Sequence, residues 1–467
     1  MCPKKRPNVI FILIDDMGWT DLGCFGSSFY ETPNIDNLAR SGIIYPNAYA
    51  ASPVCSPSRA SVMTGKYPLN VGVTNWIGAG LEVGKVIGLD NNGELENNER
   101  TLPRVLKEHG YQTWHVGKWH LGDKPESLPE NNGFDVNVGG CAWGRPKNGY
   151  FSPYKIPNLP EGPAGEYLTD RLTNEAIALL ESRSGNPFFL NLWYYTVHTP
   201  IQAKEDTIAK YEKKRKGLGL DKIDALEVGE FFRCEHMRNY RIERRTVQSN
   251  PVYAAMIEHL DDSIGRIFQT LKEQGLLEDT IIIFTSDNGG LSTNAAPTSN
   301  KPLQEGKGWM YEGGVRVPLF VWYGNKITPH INETIVNSTD YFDTILSLVG
   351  IEDDTENDSF DLSESLQGTN VERPPVYWYY PHYGNQGGAP YAAIRIGDMK
   401  LIRQFDDDTY ELYNLSDDVG ELVDISDTNE EITRDLKNQL NNWLDECNAY
   451  IPTENPNWID PNLNLEE

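Results

Sequence analysis

The sequence predicts an α/β protein, with a large, mostly parallel sheet sandwiched by helices and a smaller C-terminal antiparallel sheet subdomain with one helix. Three observations predict it. Continuous apolar runs end abruptly in polar residues, as strands covered on both faces do. An amphipathic helical pattern leads directly into one of these runs. Later in the chain the runs give way to short, aromatic, alternating segments. We therefore expect a main domain over residues 1–365 and a subdomain over residues 366–467.

Four segments are the predicted core strands: the apolar runs at residues 8–14, 187–193 and 280–285, and the more mixed segment at residues 111–116. Polar residues follow each of them. Ligands of open α/β sheets bind beyond the carboxyl ends of the strands. We therefore expect the residues after the four segments to lie near one another, at one edge of the sheet.

Helices are predicted between these strands. Apolar residues recur at three- and four-residue spacing from 253 to 271, and Gly275 ends that helix. Residues 101–109 and 169–182 predict two more helices. Residues 203–246 are rich in charge and predict a solvated helical insertion. In the C-terminal part, strands are predicted at 376–380, 391–395, 400–402 and 410–413, and a final helix at 430–446.

Composition excludes several classes of protein. The chain has 467 residues and a formal net charge of −27, which argues against nucleic acid as a partner. No apolar stretch reaches the ~20 residues of a membrane span. The six cysteines include no CxxC pair, so a cysteine zinc site is not expected, while a disulfide stays open. No signal peptide is visible after Met1, so export would require one that has been removed.

The two polar pairs that follow residues 8–14 and 280–285 are candidate metal ligands. Asp15, Asp16, Asp287 and Asn288 offer only oxygen donors, which suit Ca²⁺ or Mg²⁺ rather than zinc. Acidic residues also cap strand ends without a metal. Two such pairs, each after a long β run, favour the metal site.

Candidate acids, bases and cations follow the other strands. Lys118 and His120 are two residues apart, so they face the same side of an extended segment. His198 follows residues 187–193 in the same way. Lys307 lies in a glycine-rich stretch that lets the backbone approach a ligand closely. A single histidine is more often structural than catalytic, but two at strand ends near lysines favour catalysis.

Cys55 begins the sequence Cys55-Ser-Pro57-Ser-Arg59. A thiol there has three ordinary roles: nucleophile, metal ligand or half of a disulfide. Arg59 would share a helix face with Cys55, and its forked donors suit an anionic oxygen cluster. A thiolate is a poor neighbour for a hard cation, because thiolates prefer soft metals. This mismatch suggests that the working group at position 55 is not a thiol.

These motifs together resemble the type I sulfatases of the alkaline-phosphatase-like superfamily, most of all bacterial carbohydrate sulfatases. The resemblance covers about residues 8–320, in family order, and is less specific beyond them. It rests on six stretches: Asp15-Asp16-Met17-Gly18, Cys55 to Arg59, Gly117 to Gly122, His198-Thr199-Pro200, Ser286 to Gly290 and Gly306 to Gly314.

The resemblance implies a mechanism. Cys55 would be converted to Cα-formylglycine by a separate enzyme, either formylglycine-generating or anaerobic sulfatase-maturating. Its hydrate would bind one Ca²⁺ with the four oxygen ligands above and attack sulfur. His198 would protonate the leaving alcohol and Lys307 would contact the sulfate. His120 would then take a proton from the sulfated hydrate, while Arg59 and Lys118 stabilise developing charge.

The substrate is expected to be a sulfated oligo- or polysaccharide, such as marine algal ulvan or a sulfated galactan, with glycosaminoglycans open. The enzyme is expected to be periplasmic or secreted. Alternatives are an arylsulfatase, a phosphonate or phosphodiester hydrolase of the same superfamily, and an inactive sugar-binding relative. Candidate sugar contacts, each equally compatible with ordinary loop packing, are Trp76, Trp143, Arg145, Gln202 and His382.

Overall fold

The structure is a computed structural model that describes residues 6–90, 93–97 and 99–459. The start of the chain, with Cys2, and residues 460–467 of the predicted subdomain lie outside the described residues. The strands are β1 Asn8–Ile14, β2 Ile43–Ile44, β3 Ala48–Tyr49, β4 Val86–Ile87, β5 Gln112–Gly117, β6 Val136–Val138, β7 Phe188–Trp193, β8 Leu226–Phe231, β9 Arg241–Arg245, β10 Thr280–Ser286, β11 Phe320–Trp322, β12 His330–Ile331, β13 Val336–Asn337, β14 Val376–Tyr380, β15 Tyr391–Ile396, β16 Met399–Gln404, β17 Thr409–Asn414 and β18 Thr453–Glu454.

The α-helices alternate with the strands through most of the chain. They are α1 Pro33–Arg40, α2 Cys55–Thr64, α3 Pro68–Val71, α4 Leu102–Glu108, α5 Leu168–Ser182, α6 Glu205–Gly217, α7 Pro251–Glu273, α8 Glu312–Val315, α9 Tyr341–Val349 and α10 Glu430–Glu446. None of the helices in the described ranges has both the length and the apolar character that crossing a membrane requires.

Eight strands form the central sheet, in the order β12-β2-β11-β10-β1-β7-β5-β6. The five strands from β10 to β6 are parallel, and β11 runs antiparallel to both β10 and β2. Every residue of β1, β7 and β10 is buried. Two hydrophobic clusters lie on the two faces of this sheet, since Ile10 and Ile12 belong to one and Val9 and Phe11 to the other. The predicted mostly parallel, helix-covered sheet is therefore confirmed.

A second sheet of four antiparallel strands, β14 to β17, follows in the C-terminal part. Helix α10 covers one of its faces with Leu436, Leu440 and Leu444. The other face packs against Tyr49, Trp309 and Met310 of the preceding chain. This arrangement confirms the predicted antiparallel sheet with one helix, and it brings the end of β14 close to the glycine-rich stretch around Lys307.

The insertion at residues 203–246 differs from the prediction. Its first half forms α6, but its second half is a two-stranded antiparallel ribbon of β8 and β9. The helical prediction followed the charge of this segment. The short alternation of a strand is present in Leu226-Glu-Val228, but the many charged residues around it obscured the pattern.

Candidate active site

The two acidic pairs meet at the carboxyl edge of the central sheet. Ile14, the last residue of β1, pairs with Ser286, the last residue of β10. This register places Asp15 and Asp16 beside Asp287 and Asn288, and all four side chains are buried. The backbone N–H of Asp16 donates to Oδ1 of Asp287 over 3.2 Å. The parallel pairing of two neighbouring strands therefore builds one cluster of oxygen donors.

Cys55 is the first residue of α2 and is only 1% exposed. Its Sγ lies 3.6 Å from Oδ1 of Asp15 and 4.0 Å from Oδ1 of Asp16. The Nζ of Lys307 is 3.4 Å from the same sulfur. Cys55, like the other four cysteines among the described residues, is a free thiol. A disulfide with any described cysteine is thereby excluded as its role.

Arg59 lies one helical turn after Cys55 and is completely buried. Its Nε donates to Oδ2 of Asp287 over 2.8 Å, and Nη1 donates to the backbone oxygen of Lys118 over 3.0 Å. The guanidinium also lies 5.0 Å from the ring centre of Trp193. Burial alone would lower the pKa of Arg59, but Asp287 and Asp15 outweigh it and raise that pKa. Arg59 is thus a fixed cation under the cluster.

Two lysines neutralise the remaining carboxylates. The Nζ of Lys118 is 2.8 Å from both oxygens of Asp15. The Nζ of Lys307 is 2.8 Å from Oδ2 of Asp16. Together with Arg59, the lysines set three positive charges against the three carboxylates of Asp15, Asp16 and Asp287. A divalent cation added to this set would leave an excess of positive charge, which suits an anionic substrate.

The pKa values of Asp15 and Asp16 are shifted by different neighbours. Burial raises the pKa of Asp15 well above its usual range, although Lys118 opposes the shift. Burial would also raise the pKa of Asp16, but Lys307, His198 and Lys118 lower it to below the usual range. Two adjacent carboxyl groups at the end of one strand thus have pKa values moved in opposite directions by their different neighbours.

His198 points its ring at the Lys307 ammonium. Its Nδ1 lies 2.7 Å from the backbone oxygen of Thr199, so Nδ1 carries a proton and donates it. Its Nε2 is 3.2 Å from Nζ of Lys307 and 3.5 Å from Oδ2 of Asp16. Burial, followed by the charge of Lys307, lowers the pKa of His198. A neutral ring with its Nε2 lone pair towards Lys307 follows from this geometry.

His120 presents the opposite tautomer. Its Nε2 lies 3.0 Å from the backbone oxygen of Ile77 and donates to it. Its buried Nδ1 has no hydrogen-bond partner among the described residues. Burial and then the charge of Lys118 lower the pKa of His120 well below its usual value. The residue is therefore neutral, with one unshared ring nitrogen available as a base.

The donor set fits a hard cation. Possible ligand atoms of Asp15, Asp16, Cys55 and His198 all lie within 4.8 Å of one another, and the two carboxylates are the hard donors among them. The Oδ1 of Asn288 is buried and, in the part of the chain that the structure describes, accepts no hydrogen bond. A buried amide oxygen without a partner is costly, and coordination of a cation would satisfy it. Asn288 Nδ2, in contrast, donates to Oδ1 of Asp16 over 2.9 Å.

The predicted sugar contacts are not all alike in their surroundings. Trp76 and Trp143 are half-buried, and Arg145 is exposed. Gln202 uses its Oε1 to accept from the backbone N–H of Tyr150 over 2.8 Å. His382 is buried, with Nε2 3.0 Å from the hydroxyl of Thr74, and burial lowers its pKa to about 3. Gln202 and His382 thus have structural partners, whereas the other three are accessible.

Sequence reasoning missed one group beside the site. Tyr380 ends β14, is fully buried and donates its hydroxyl to Oδ1 of Asn75 over 3.3 Å. The same Oδ1 accepts from the backbone N–H of Trp76 over 2.8 Å. Burial raises the pKa of Tyr380, and Lys307 and Cys55 are close enough to act on that pKa as well. The aromatic run before Tyr380 was the signal in the sequence, but it indicated only a strand.

The sheet and the cluster of buried carboxylates at its carboxyl edge are those expected of a hydrolase of the alkaline-phosphatase-like superfamily. A family model described as Sulfatase matches residues 7–351, and one described as N-sulphoglucosamine sulphohydrolase, C-terminal, matches residues 305–447. The chain therefore belongs to the sulfatase family, as a type I sulfatase, and it is an enzyme. The resemblance drawn from the motifs is confirmed.

Individual relatives agree with this membership. A protein named Sulfatase from Formosa agariphila is 30% identical, over 96% of this chain and 90% of its own length. The N-acetylgalactosamine-6-sulfatase of Rattus norvegicus is 31% identical, over 80% of this chain and 68% of its own. The crystal structure of Ps i-CgsB in complex with k-i-k-neocarrahexaose superposes with a TM-score of 0.74 at 26% identity, covering 98% and 95% of the two chains.

Proposed function

We propose that this sulfatase removes sulfate from a sulfated oligo- or polysaccharide, with Cys55 converted to formylglycine and one Ca²⁺ bound beside it. One observation carries the proposal. The Sγ of Cys55 lies 3.6 Å from a carboxylate oxygen of Asp15 and 3.4 Å from the ammonium of Lys307. Hard oxygen ligands and a cation thus surround the side chain at position 55, where an oxygen group fits better than a thiol.

The residues that would hold the cation are Asp15, Asp16, Asp287 and Asn288, together with the modified side chain at position 55. All four encoded residues are oxygen donors, and the unpartnered Oδ1 of Asn288 supports their assignment as ligands. When bound, Ca²⁺ supplies positive charge beside the sulfate oxygens, and the hydrated aldehyde supplies an oxygen nucleophile.

The maturation of Cys55 requires a chain that is not yet folded. Cys55 is 1% exposed and Arg59 is fully buried under Asp287. A formylglycine-generating or anaerobic sulfatase-maturating enzyme that reads Cys55, Pro57 and Arg59 has no access to them in the folded protein. We therefore propose that the modification precedes folding of α2.

The remaining side chains bind the sulfate and move protons. Lys118 and Arg59 hold positive charge behind position 55, while Lys307 reaches the sulfate oxygens. The proton for the leaving alcohol comes from the His198–Lys307 pair, whose two nitrogens are 3.2 Å apart. Nδ1 of His120, which has no partner in the part of the chain that the structure describes, would take a proton from the hydroxyl at position 55 when sulfate is released.

The substrate is a sulfated carbohydrate, such as an ulvan-type polymer or a sulfated galactan. Relatives named for N-acetylgalactosamine-6-sulfate and crystallised with a neocarrahexaose support a sugar sulfate. Trp76, Trp143 and Arg145 are accessible for sugar contact, and Gln202 and His382 support the loops that carry such contacts.

We further propose residues 1–365 as the catalytic domain and 366–467 as the subdomain that closes the site through Tyr380. Secretion or a periplasmic location would bring the enzyme to such a polymer.

The test combines mass spectrometry with a substrate screen. The enzyme is produced with a maturation enzyme, and its tryptic peptide of residues 41–59 is analysed for the aldehyde at position 55. Defined sulfated oligosaccharides, an aryl sulfate and a phosphonate ester are then assayed, with Cys55→Ser as the control. Sulfate release from a sugar, lost in the control, supports the proposal. Full activity with an unmodified thiol, or preference for the phosphonate ester, contradicts it.

A further inference from the structure

One of the proposed cation ligands has an unusual backbone. Asp16 adopts a left-handed conformation with φ of 62°. A residue with a Cβ occupies this region only when its surroundings hold it there, at a cost of about 1–3 kcal/mol. The conformation turns the chain sharply after β1, so that Asp15 and Asp16 both contribute carboxylates to the same cluster. What holds Asp16 in place therefore bears on cation binding.

The hydroxyl of Tyr253 contacts this turn from α7. It lies 2.7 Å from Oδ2 of Asp21 and 3.3 Å from the backbone oxygen of Asp16, as a donor shared between the two. Oδ2 of Asp21 also accepts from the backbone N–H of Gly18 over 2.9 Å. The hydroxyl of Tyr253 thus contacts Asp16, and the carboxylate of Asp21 that it also contacts holds Gly18 in the turn that follows.

The other oxygen of Asp21 reaches a different part of the chain. Oδ1 accepts from the hydroxyl of Thr298 over 2.7 Å and from Nε2 of Gln248 over 3.1 Å. Thr298 belongs to the segment that follows Asn288. Asp21 is completely buried, and three of these four hydrogen-bond partners, Tyr253, Gly18 and Thr298, are buried as well, while Gln248 is half-buried. The carboxylate therefore joins the two segments that carry the four oxygen ligands.

We propose that Tyr253 and Asp21 act as a positioning pair, which holds Asp16 in its left-handed conformation and thereby sets the cation affinity of the site. The inference rests on the proposed function, since it assumes the Ca²⁺ site. Neither side chain reaches the cluster of ligand atoms itself. Outer hydrogen-bond partners of this kind change metal affinity by roughly 10–100-fold when removed.

Calcium binding to the purified, chelator-treated protein tests the pair by isothermal titration calorimetry. Tyr253→Phe removes only the hydroxyl, and we expect it to weaken Ca²⁺ binding about tenfold. Tyr194→Phe is the matched control. Tyr194 is equally buried in the same cluster, and its hydroxyl contacts Thr173 of α5 rather than the site. Removing the Tyr194 hydroxyl is expected to leave Ca²⁺ affinity within about twofold of the wild type. A change larger than this in Tyr253→Phe counts as an effect of the pair.

A double variant tests whether Tyr253 and Asp21 act together on Ca²⁺ affinity. If the pair acts as a unit, Asp21→Asn combined with Tyr253→Phe weakens Ca²⁺ binding no more than the worse single change. Unchanged Ca²⁺ affinity in Tyr253→Phe overturns the inference and leaves the proposed function standing. Equal weakening in Tyr253→Phe and Tyr194→Phe also overturns it. A wild-type protein that binds no Ca²⁺ overturns both the inference and the proposed cation site.

Discussion

The Nζ of Lys307 lies 3.2 Å from Nε2 of His198, while the same ammonium lies 2.8 Å from Oδ2 of Asp16. The Nδ1 proton of His198 is committed to the backbone oxygen of Thr199. Nε2 is therefore the nitrogen that we propose exchanges a proton with the substrate, and the Lys307 ammonium lies next to it. Acid catalysis at this site is thus expected from a coupled pair rather than from an isolated histidine.

Replacing His198 by alanine tests this role. We expect kcat for a sugar sulfate to fall by about 10²–10⁴-fold, because the alcohol is a poor leaving group and needs the proton. Activated aryl sulfates need it less, so their kcat should fall far less. The measurement is kcat across esters of graded leaving-group pKa. Equal losses across the series would argue against His198 as the acid.

Gly144 packs directly on the ring of His120. A Cβ at position 144 would lie 2.4 Å from Cε1 of that ring and 2.7 Å from Nε2. We expect Gly144→Ala to displace the imidazole from the oxygen of Ile77 and to lower kcat by about 10²-fold or more, at an overpacking cost of about 1–3 kcal/mol. Gly185→Ala is the control, because a Cβ added there would have no described atom within 4 Å apart from those of its chain neighbours. Unchanged kcat in Gly144→Ala would show that the position of His120 is not critical.

Removal of the cation should affect activity and stability together. We expect a chelator to abolish turnover and Ca²⁺ to restore it. At a Ca²⁺ concentration 100 times Kd, the free energy of unfolding should rise by about 2.7 kcal/mol, because the ion binds only the folded chain. Calorimetry with and without Ca²⁺ measures this gain.

A matched pair of asparagines locates that effect. Asn288→Ala should reduce the increase in the free energy of unfolding that Ca²⁺ causes, since it removes a proposed ligand. Asn332→Ala removes a buried amide that bonds the backbone of Ser365 and Thr369, and should leave the gain unchanged. Full activity of the wild type in excess chelator would contradict the metal assignment.

His115 predicts acid sensitivity. Burial lowers the pKa of His115 from its ordinary value of 6.5 to about 3. Below pH 6.5 the unfolded chain binds a proton at this histidine that the folded chain does not. The free energy of unfolding therefore decreases as the pH falls from 6.5 towards 3. At pH 5 the free energy of unfolding should be about 2 kcal/mol lower than at neutral pH because of this histidine.

Urea unfolding of the wild type and of His115→Gln between pH 4 and pH 8 measures this contribution. The difference between the two proteins should shrink as the pH falls, because only the wild type has the buried imidazole. His330→Gln, at a half-exposed position, is the control. A difference that stays constant with pH would show that His115 does not contribute to acid unfolding.

The large features of the fold were predictable because they follow from local patterns. Strands buried on both faces favour continuous apolar runs, and such runs predicted β1, β7 and β10, while the mixed segment 111–116 predicted β5. The short strands β2, β11 and β12 at one end of the sheet were not predicted, since two or three residues carry no period. The β8–β9 ribbon was also missed, because its charged residues hide a brief alternation.

The candidate site was predictable in its residues but not in its atoms. The sequence by itself determined which side chains follow the strands, and the six motifs in order determined the family. Only the tertiary structure decided that Nδ1 of His120 has no hydrogen-bond partner within the described ranges, that Lys307 bridges Asp16 and His198, and that Tyr253 contacts Asp16. These contacts join residues more than a hundred positions apart or depend on backbone torsions at a single residue. Sheet register and loop conformation set them, and no local pattern in the chain encodes either.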